Sequence, residues 1–158
     1  SMGTMPYDDV AAGREMQNYY WNCTRDCDRH LMRLTEGLKA SGELDRTVIL
    51  FTSDHGEILG THGLRGKGTS PIRESVHVPL TVVHPDGAKG ATSDALVTHV
   101  DLAPTLLRFA SIAADDVREQ LPTVIGRDYA ALVGAPTGVA PRGDDGILYH
   151  WTSFAYLN

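Results

Sequence analysis

Asp54 and His55 stand side by side after an apolar, β-branched run, Thr47-Val48-Ile49-Leu50-Phe51-Thr52-Ser53, and directly before Gly56. A carboxylate and an imidazole so placed can serve one divalent cation as a hard oxygen and a borderline nitrogen donor. The same aspartate can equally be only the cap of a following helix. Farther on, Gly60-Thr61-His62-Gly63-Leu64-Arg65-Gly66-Lys67-Gly68-Thr69 is a glycine-rich loop carrying cationic residues. Lys67 can act there as a point charge on a bound anion, or simply be a solvated lysine. His62 can touch a ligand or hold the loop by hydrogen bonds. His77 and His99 also lie near apolar runs, and neither is taken as a catalytic acid.

The elements that must position these residues are legible from periodicity. Val48 to Phe51 show no polar alternation, which is how a strand covered on both faces by helices reads, and a parallel α/β sheet is its usual setting. In such sheets chemistry collects beyond the carboxyl ends of the strands. Asp54 and His55 fall at that end, and Gly56 allows a close backbone approach. A second strand is expected over Val78 to Val83. From Val10 to Ala40, Met16, Tyr19 or Tyr20, Cys23, Cys27, Leu31, Leu34 and Leu38 recur three or four apart, so one stripe of a long helix is expected to pack on the sheet. Its other face, with Arg25, Asp26, Arg29, Arg33 and Glu36, reads as solvated. Ser41-Gly42 ends the helix, and His84 to Gly90 has the residue chemistry of a turn.

Ala95-Leu96-Val97 is expected as a short third strand. A helix follows from Asp101 to Ala110, capped by Asp101 and packed through Leu102, Thr105, Leu106 and Phe109. Short helices are expected over Asp115 to Gln120 and Gly126 to Val133, a loop over Ala135 to Asp145, and a last strand over Gly146 to Trp151. No internal repeat is visible.

Four blocks taken together carry a family resemblance: Phe51-Thr52-Ser53-Asp54-His55-Gly56-Glu57-Ile58-Leu59-Gly60-Thr61-His62-Gly63-Leu64; Gly66-Lys67-Gly68; Glu74-Ser75 with His77-Val78-Pro79-Leu80; and Thr98-His99-Val100-Asp101-Leu102-Ala103-Pro104-Thr105-Leu106-Leu107. In order and spacing they resemble the later part of sulfatases, in the alkaline-phosphatase-like superfamily, over about residues 15 to 133. The resemblance implies an α/β fold: a partial sulfatase domain, mainly a parallel sheet flanked by helices. Residues 1–6 are set apart as an appended or disordered start, and residues 7–158 are expected to be the C-terminal portion of a sulfatase-type catalytic domain.

The implied reaction is hydrolysis of a sulfate monoester by a hydrated formylglycine, assisted by a metal. Asp54 and His55 match the family's later pair of metal ligands, where many members have Asp-Asn. The metal is expected to be calcium, with manganese or zinc admitted by the imidazole. Lys67 matches the family lysine that contacts the sulfate near the leaving oxygen, so it is the expected catalytic and substrate-binding residue, with His62 as a further substrate contact. The family's earlier half, with its adjacent aspartates, its Cys/Ser-x-Pro/Ala-x-Arg nucleophile motif and further Lys and His residues, has no match here. Neither Cys23 nor Cys27 has the motif's context. Formylglycine is therefore expected only in a missing part, and the chain alone is expected to be inactive, to bind metal weakly and to self-associate as a dimer.

Composition narrows the partners. The 158 residues have a formal net charge of -6 and are 42% hydrophobic, with no basic cluster and no apolar run of membrane-spanning length. Nucleic acid and membrane are not expected as partners; a sulfated small molecule or sugar is. The two cysteines, four apart on a helix, project roughly parallel, which disfavours a disulfide and suggests buried free thiols. Asn22-Cys23-Thr24 formally matches a glycosylation acceptor, though within a helix. Two other readings compete: a phosphonate monoester or phosphodiester hydrolase of the same superfamily, and a non-catalytic interaction module. No compartment is assigned.

Overall fold

A computed structural model describes residues 2–4, 9–67, 71–138, 141, 146, 147 and 149. The first helix, α1 (Val10–Ala40), has the bounds that its periodicity predicts. Asp9 caps it by accepting the Ala12 N–H at 2.9 Å, and Arg29 pairs with Asp26 one turn away at 3.5 Å. Ser41 closes it, and Gly42 follows at φ +73°, the left-handed conformation that stops a helix cheaply only when the residue is glycine.

The expected burial of α1 is not found. No residue of the helix is buried, and Tyr19, Trp21 and Leu34 are more than half exposed. Cys23 and Cys27 are free, as expected, but exposed rather than buried. Periodicity reports which side chains share a stripe; whether another element covers that stripe is a tertiary matter.

A single 3-10 turn, Leu44–Arg46, leads to β2 (Ile49–Thr52), which pairs with β4 (Leu80–Val83) in a two-stranded sheet. A second small sheet joins β1 (Met2–Thr4) to β3 (Leu64–Gly66), antiparallel, with Met2 opposite Gly66 and Thr4 opposite Leu64. Residues Met2–Thr4, set apart in the sequence reading, thus take part in the fold. The backbone groups of a glycine-rich loop need partners, and an extended segment supplies them whatever its side chains.

The chain divides into two compact units, Ser1–Thr81 and Val82–Asn158. In the first, the loop after β2 folds over Ile58, which is 1% exposed, and is followed by the one-turn helix α2 (Arg73–Val76). In the second, α3 (Leu102–Phe109), α4 (Ala114–Gln120) and α5 (Ala130–Gly134) surround a core that includes Val117, Tyr129 and Leu132.

Asp101, expected as a helix cap, does more. Fully buried, it accepts the Thr98 N–H at 2.9 Å as half of a capping box and the Arg127 N–H at 2.8 Å. Thr105 Oγ1 donates to the Asp101 carbonyl at 2.6 Å and accepts the Tyr129 N–H at 3.1 Å. Two buried polar residues thus satisfy backbone groups of the 126–129 segment, which would otherwise be left unpaired.

Other expectations shift at this scale. The second strand is shorter than Val78 to Val83, and residues 95–97 form no strand. The helix expected over Gly126 to Val133 begins only at Ala130, since the 126–129 backbone is spent on the Asp101 and Thr105 bonds. Of the expected last strand over Gly146 to Trp151, Gly146, Ile147 and Tyr149 are in no strand and the rest lies outside the described residues, as does much of the expected 135–145 loop. Among the described residues no helix is long and apolar enough to cross a membrane.

Candidate metal and anion site

β2 ends at Thr52, whose hydroxyl donates to the Pro79 carbonyl at 2.8 Å and fixes where the strand stops. The chain then turns through Ser53, Asp54 and His55. Ser53 Oγ donates to the His55 carbonyl at 2.7 Å, and the His55 N–H donates to Asp54 Oδ1 at 2.9 Å. Gly56 continues the turn by donating its N–H to the Ser75 carbonyl at 2.8 Å. A Cβ at Gly56 would lie 1.9 Å from the Glu74 carbonyl oxygen, so only glycine fits against α2.

The His55 ring is oriented by its own neighbour. Nδ1 lies 2.9 Å from the Gly56 carbonyl, and because a carbonyl can only accept, Nδ1 carries the proton and donates. A neutral ring then keeps its lone pair on Nε2. Nε2 stands 3.3 Å from Asp54 Oδ2. Two acceptor atoms so close repel each other unless a positive charge is shared between them, either a second ring proton or a cation. A backbone carbonyl behind the far nitrogen is the arrangement that fixes a metal-binding histidine in its liganding tautomer.

The pair faces solvent: the Asp54 side chain is 83% exposed and that of His55 37%. The Asp54 carboxyl is held below its ordinary range, chiefly by the hydrogen bond from the His55 N–H and further by the charges of His55 and Lys67, against a desolvation that acts the other way. Asp54 is therefore ionised at neutral pH and available as an anionic ligand. Lys67 is exposed and follows β3 directly, near enough for its charge to act on Asp54. The structure thus brings together Asp54 and His55, and the charge of Lys67 acts weakly on Asp54 from the end of the glycine-rich loop.

His62 is placed differently. It sits in a 3-10 turn, Thr61–Gly63, exposed and in the left-handed region at φ +57°. Among the described residues no contact joins it to Asp54, His55 or Lys67. His77 and His99 are likewise exposed.

The donor chemistry of Asp54 and His55 suits a divalent cation, and their separation suits adjacent ligands of one ion. They make only part of a set: among the described residues no group of three or more His, Cys, Asp or Glu is arranged to hold a metal. Calcium takes about six to eight oxygens, so two donors form an incomplete shell. Cys23 and Cys27 lie exposed on α1, in sequence contexts unlike the formylglycine motif, and do not fit as the nucleophile's precursor.

One residue of the loop was not singled out from sequence. Glu57 Oε1 accepts the Gly66 N–H in a short hydrogen bond and lies 3.5 Å from the Leu59 N–H, so a single carboxylate oxygen faces both limbs of the loop that leads to Lys67. Its position directly after Gly56 was visible; its partners, brought to it by the fold of the loop, were not.

The partial α/β scaffold that carries this Asp-His pair and the glycine-rich loop is that of the alkaline-phosphatase-like class. Within that class the chain belongs to the sulfatase family, whose family model, described as Sulfatase, matches residues 4–112. It is 42% identical over 86 residues to an N-acetylglucosamine-6-O-sulfatase of Bacteroides thetaiotaomicron, a match that spans 54% of this chain and 15% of that protein. Among solved structures it resembles, with a TM-score of 0.61 and 34% identity, one in complex with its substrate D-glucosamine-2-N,6-O-disulfate; the match covers 69% of this chain and 21% of that one. A phosphonate monoester hydrolase from Silicibacter pomeroyi is similar too, with a TM-score of 0.61 and 29% identity, covering 70% of this chain and 21% of that one. The chain therefore spans a minor part of the length of these relatives.

Proposed function

We propose that the chain contributes the later metal and anion contacts of a sulfuric ester hydrolase acting on a sulfated sugar. The observation that carries this reading is the 3.3 Å approach of Asp54 Oδ2 to His55 Nε2 just beyond the end of β2, with the Lys67 charge acting on the same carboxylate. Asp54 and His55 would hold a divalent cation, calcium foremost, with manganese or zinc admitted by the nitrogen donor. Such an ion, when bound, neutralises charge on the sulfuryl oxygens and fixes the nucleophile.

The chain's own residues orient the ligand atom and meet the anion. The Gly56 carbonyl holds the His55 Nδ1 proton, so that Nε2 stays a ligand atom. Lys67 binds the sulfate as a point charge and supports the departing oxygen, and His62 contacts the sugar from its exposed turn. The nucleophile, a formylglycine in the family pattern, comes from sequence outside these 158 residues.

The test compares the isolated chain with an enzyme that contains it, using an aryl sulfate and a 6-O-sulfated glucosamine. Turnover by the larger enzyme, lost on Asp54→Ala, with none from the isolated chain, is expected. Metal-dependent turnover by the 158-residue chain alone would overturn the division of labour. Light scattering on the isolated chain should show the dimer expected from its exposed Tyr19, Trp21 and Leu34; a monomer at high concentration would refute that part.

A second reading is favoured by the phosphonate monoester hydrolase among the structural neighbours. Sulfate and phosphonate monoesters present similar tetrahedral anions, and Lys67 serves either. A phenyl phosphonate monoester turned over faster than the aryl sulfate would select it.

A further inference from the structure

We propose that Glu57 is a positioning residue, whose carboxylate ties the start of the 57–67 loop to its end and thereby fixes the backbone from which Lys67 reaches the Asp54–His55 pair. The proposal deepens the reading above and rests on it for the role of Lys67.

The loop leaves β2 through the Asp54–His55 turn and folds back on itself through β3, whose last residue, Gly66, meets Glu57 and Ile58. Two backbone bonds zip its limbs together, Ile58 N–H to the Gly66 carbonyl at 3.1 Å and Gly60 N–H to the Leu64 carbonyl at 2.7 Å. The closing contact at the open end is not backbone to backbone. It is Glu57 Oε1, which takes the Gly66 N–H and lies 3.5 Å from the Leu59 N–H.

Three observations give that contact its purpose. Glu57 is half-buried, so a carboxylate there must be compensated by donors, and these amides supply them. Gly66 is the residue immediately before Lys67 and adopts φ +83°, one of several conformations open to a glycine, so the bond to its N–H helps to select it. Lys67 itself is exposed, with no burial to hold it. Its position must therefore come from the backbone, and the last fixed points before it are the two backbone groups of Gly66, the carbonyl held by the Ile58 N–H and the N–H held by Glu57. Engaged with amides of both limbs, Glu57 is a hydrogen-bond acceptor for the loop and acts on the anion only through Lys67.

The experiment has two readouts. In the full chain, amide exchange at Gly66 followed by NMR should quicken at least about tenfold in Glu57→Ala while the amides of α3 keep their protection. Glu57→Gln, which retains an acceptor oxygen, should restore most of the protection. Unchanged Gly66 exchange in Glu57→Ala would overturn the tether, and so would exchange that quickens equally throughout the chain.

In the enzyme that contains this chain, Glu57→Ala should lower kcat for an aryl sulfate by about 10- to 100-fold. Combined with Lys67→Ala it should cost no more than Lys67→Ala alone, because both changes remove the same interaction. Multiplicative losses would overturn the positioning role. A harmless Lys67→Ala would instead remove the function assigned to Lys67, leaving the tether to be decided by the exchange result alone.

Discussion

Replacing Gly56 with alanine puts a methyl carbon 1.9 Å from the Glu74 carbonyl oxygen, 3.0 Å from the Glu74 carbonyl carbon and 3.4 Å from Ser75 Cα. Ordinary contact begins at about 3.5 Å, so the turn and α2 must separate by more than an ångström. The obstructing atoms are backbone and cannot swing aside as a side-chain tip would. Separation also breaks the 2.8 Å bond from the Gly56 N–H to the Ser75 carbonyl. Gly56 does not occupy the left-handed region, so no conformational strain is added and the cost is steric and polar. Overpacking of this kind costs about 1–3 kcal/mol, and the lost hydrogen bond about 1 kcal/mol. The expected loss is therefore about 2–4 kcal/mol, read by urea denaturation, with Tm falling by about 2–4 °C for each kcal/mol in a chain of this size.

Gly37 provides the control. It lies within α1, and an added Cβ would meet nothing within 4 Å. Gly37→Ala is expected to stabilise by up to about 1 kcal/mol through helix propensity alone. If Gly56→Ala stays within about 0.5 kcal/mol of the parent, the range of an ordinary surface substitution, the close approach that aims the Asp54–His55 turn is refuted.

The second unit yields two further predictions. Asp101→Asn keeps the shape but turns an amide N–H₂ toward one of the two backbone donors, Thr98 or Arg127. The buried donor left unpaired should cost about 1–3 kcal/mol, and a urea midpoint equal to the parent's would contradict this. The Tyr129 hydroxyl is buried and meets no hydrogen-bond partner among the described residues, so Tyr129→Phe should stabilise by about 1 kcal/mol; destabilisation would refute it. Burial, aided by the Asp101 charge, lifts the Tyr129 phenol from 10.0 to about 12. A phenol raised on folding contributes stability that is complete below pH 10 and is lost as pH rises from there through about 12. Thermal melts across that range should therefore fall less steeply in Tyr129→Phe than in the parent; parallel slopes would count against the assignment.

The reading of the sequence succeeded where the information is local. The bounds of α1 follow from apolar spacing, the Asp9 cap and the Ser41-Gly42 stop, and β2 and β4 follow from short apolar runs between turn residues. The four blocks from Phe51 to Leu107 were specific enough to name the family, because a fixed order of glycines, acids and cations across separate elements seldom arises by chance. Residues whose roles depend on distant partners were misjudged or missed. The apolar stripe of α1 points Cys23 and Cys27 toward a core, whereas both are exposed. Asp101 was read as a cap, although one of its two backbone donors lies at Arg127, far along the chain.

By itself, then, the sequence determined the bounds of α1, the places of β2, β4 and α3, which residues could act as ligands or as an anion contact, and the family. Each of these is written in neighbouring residues or in spacings along one element. Only the tertiary structure decided that α1 stays uncovered, that Met2–Thr4 pairs with β3, and that Glu57 takes amides from both limbs of its loop. It alone set the His55 Nδ1 proton on the Gly56 carbonyl and Nε2 toward Asp54. Burial and hydrogen-bond partnership are properties of what the chain is folded against, and a residue's type limits these possibilities without choosing among them.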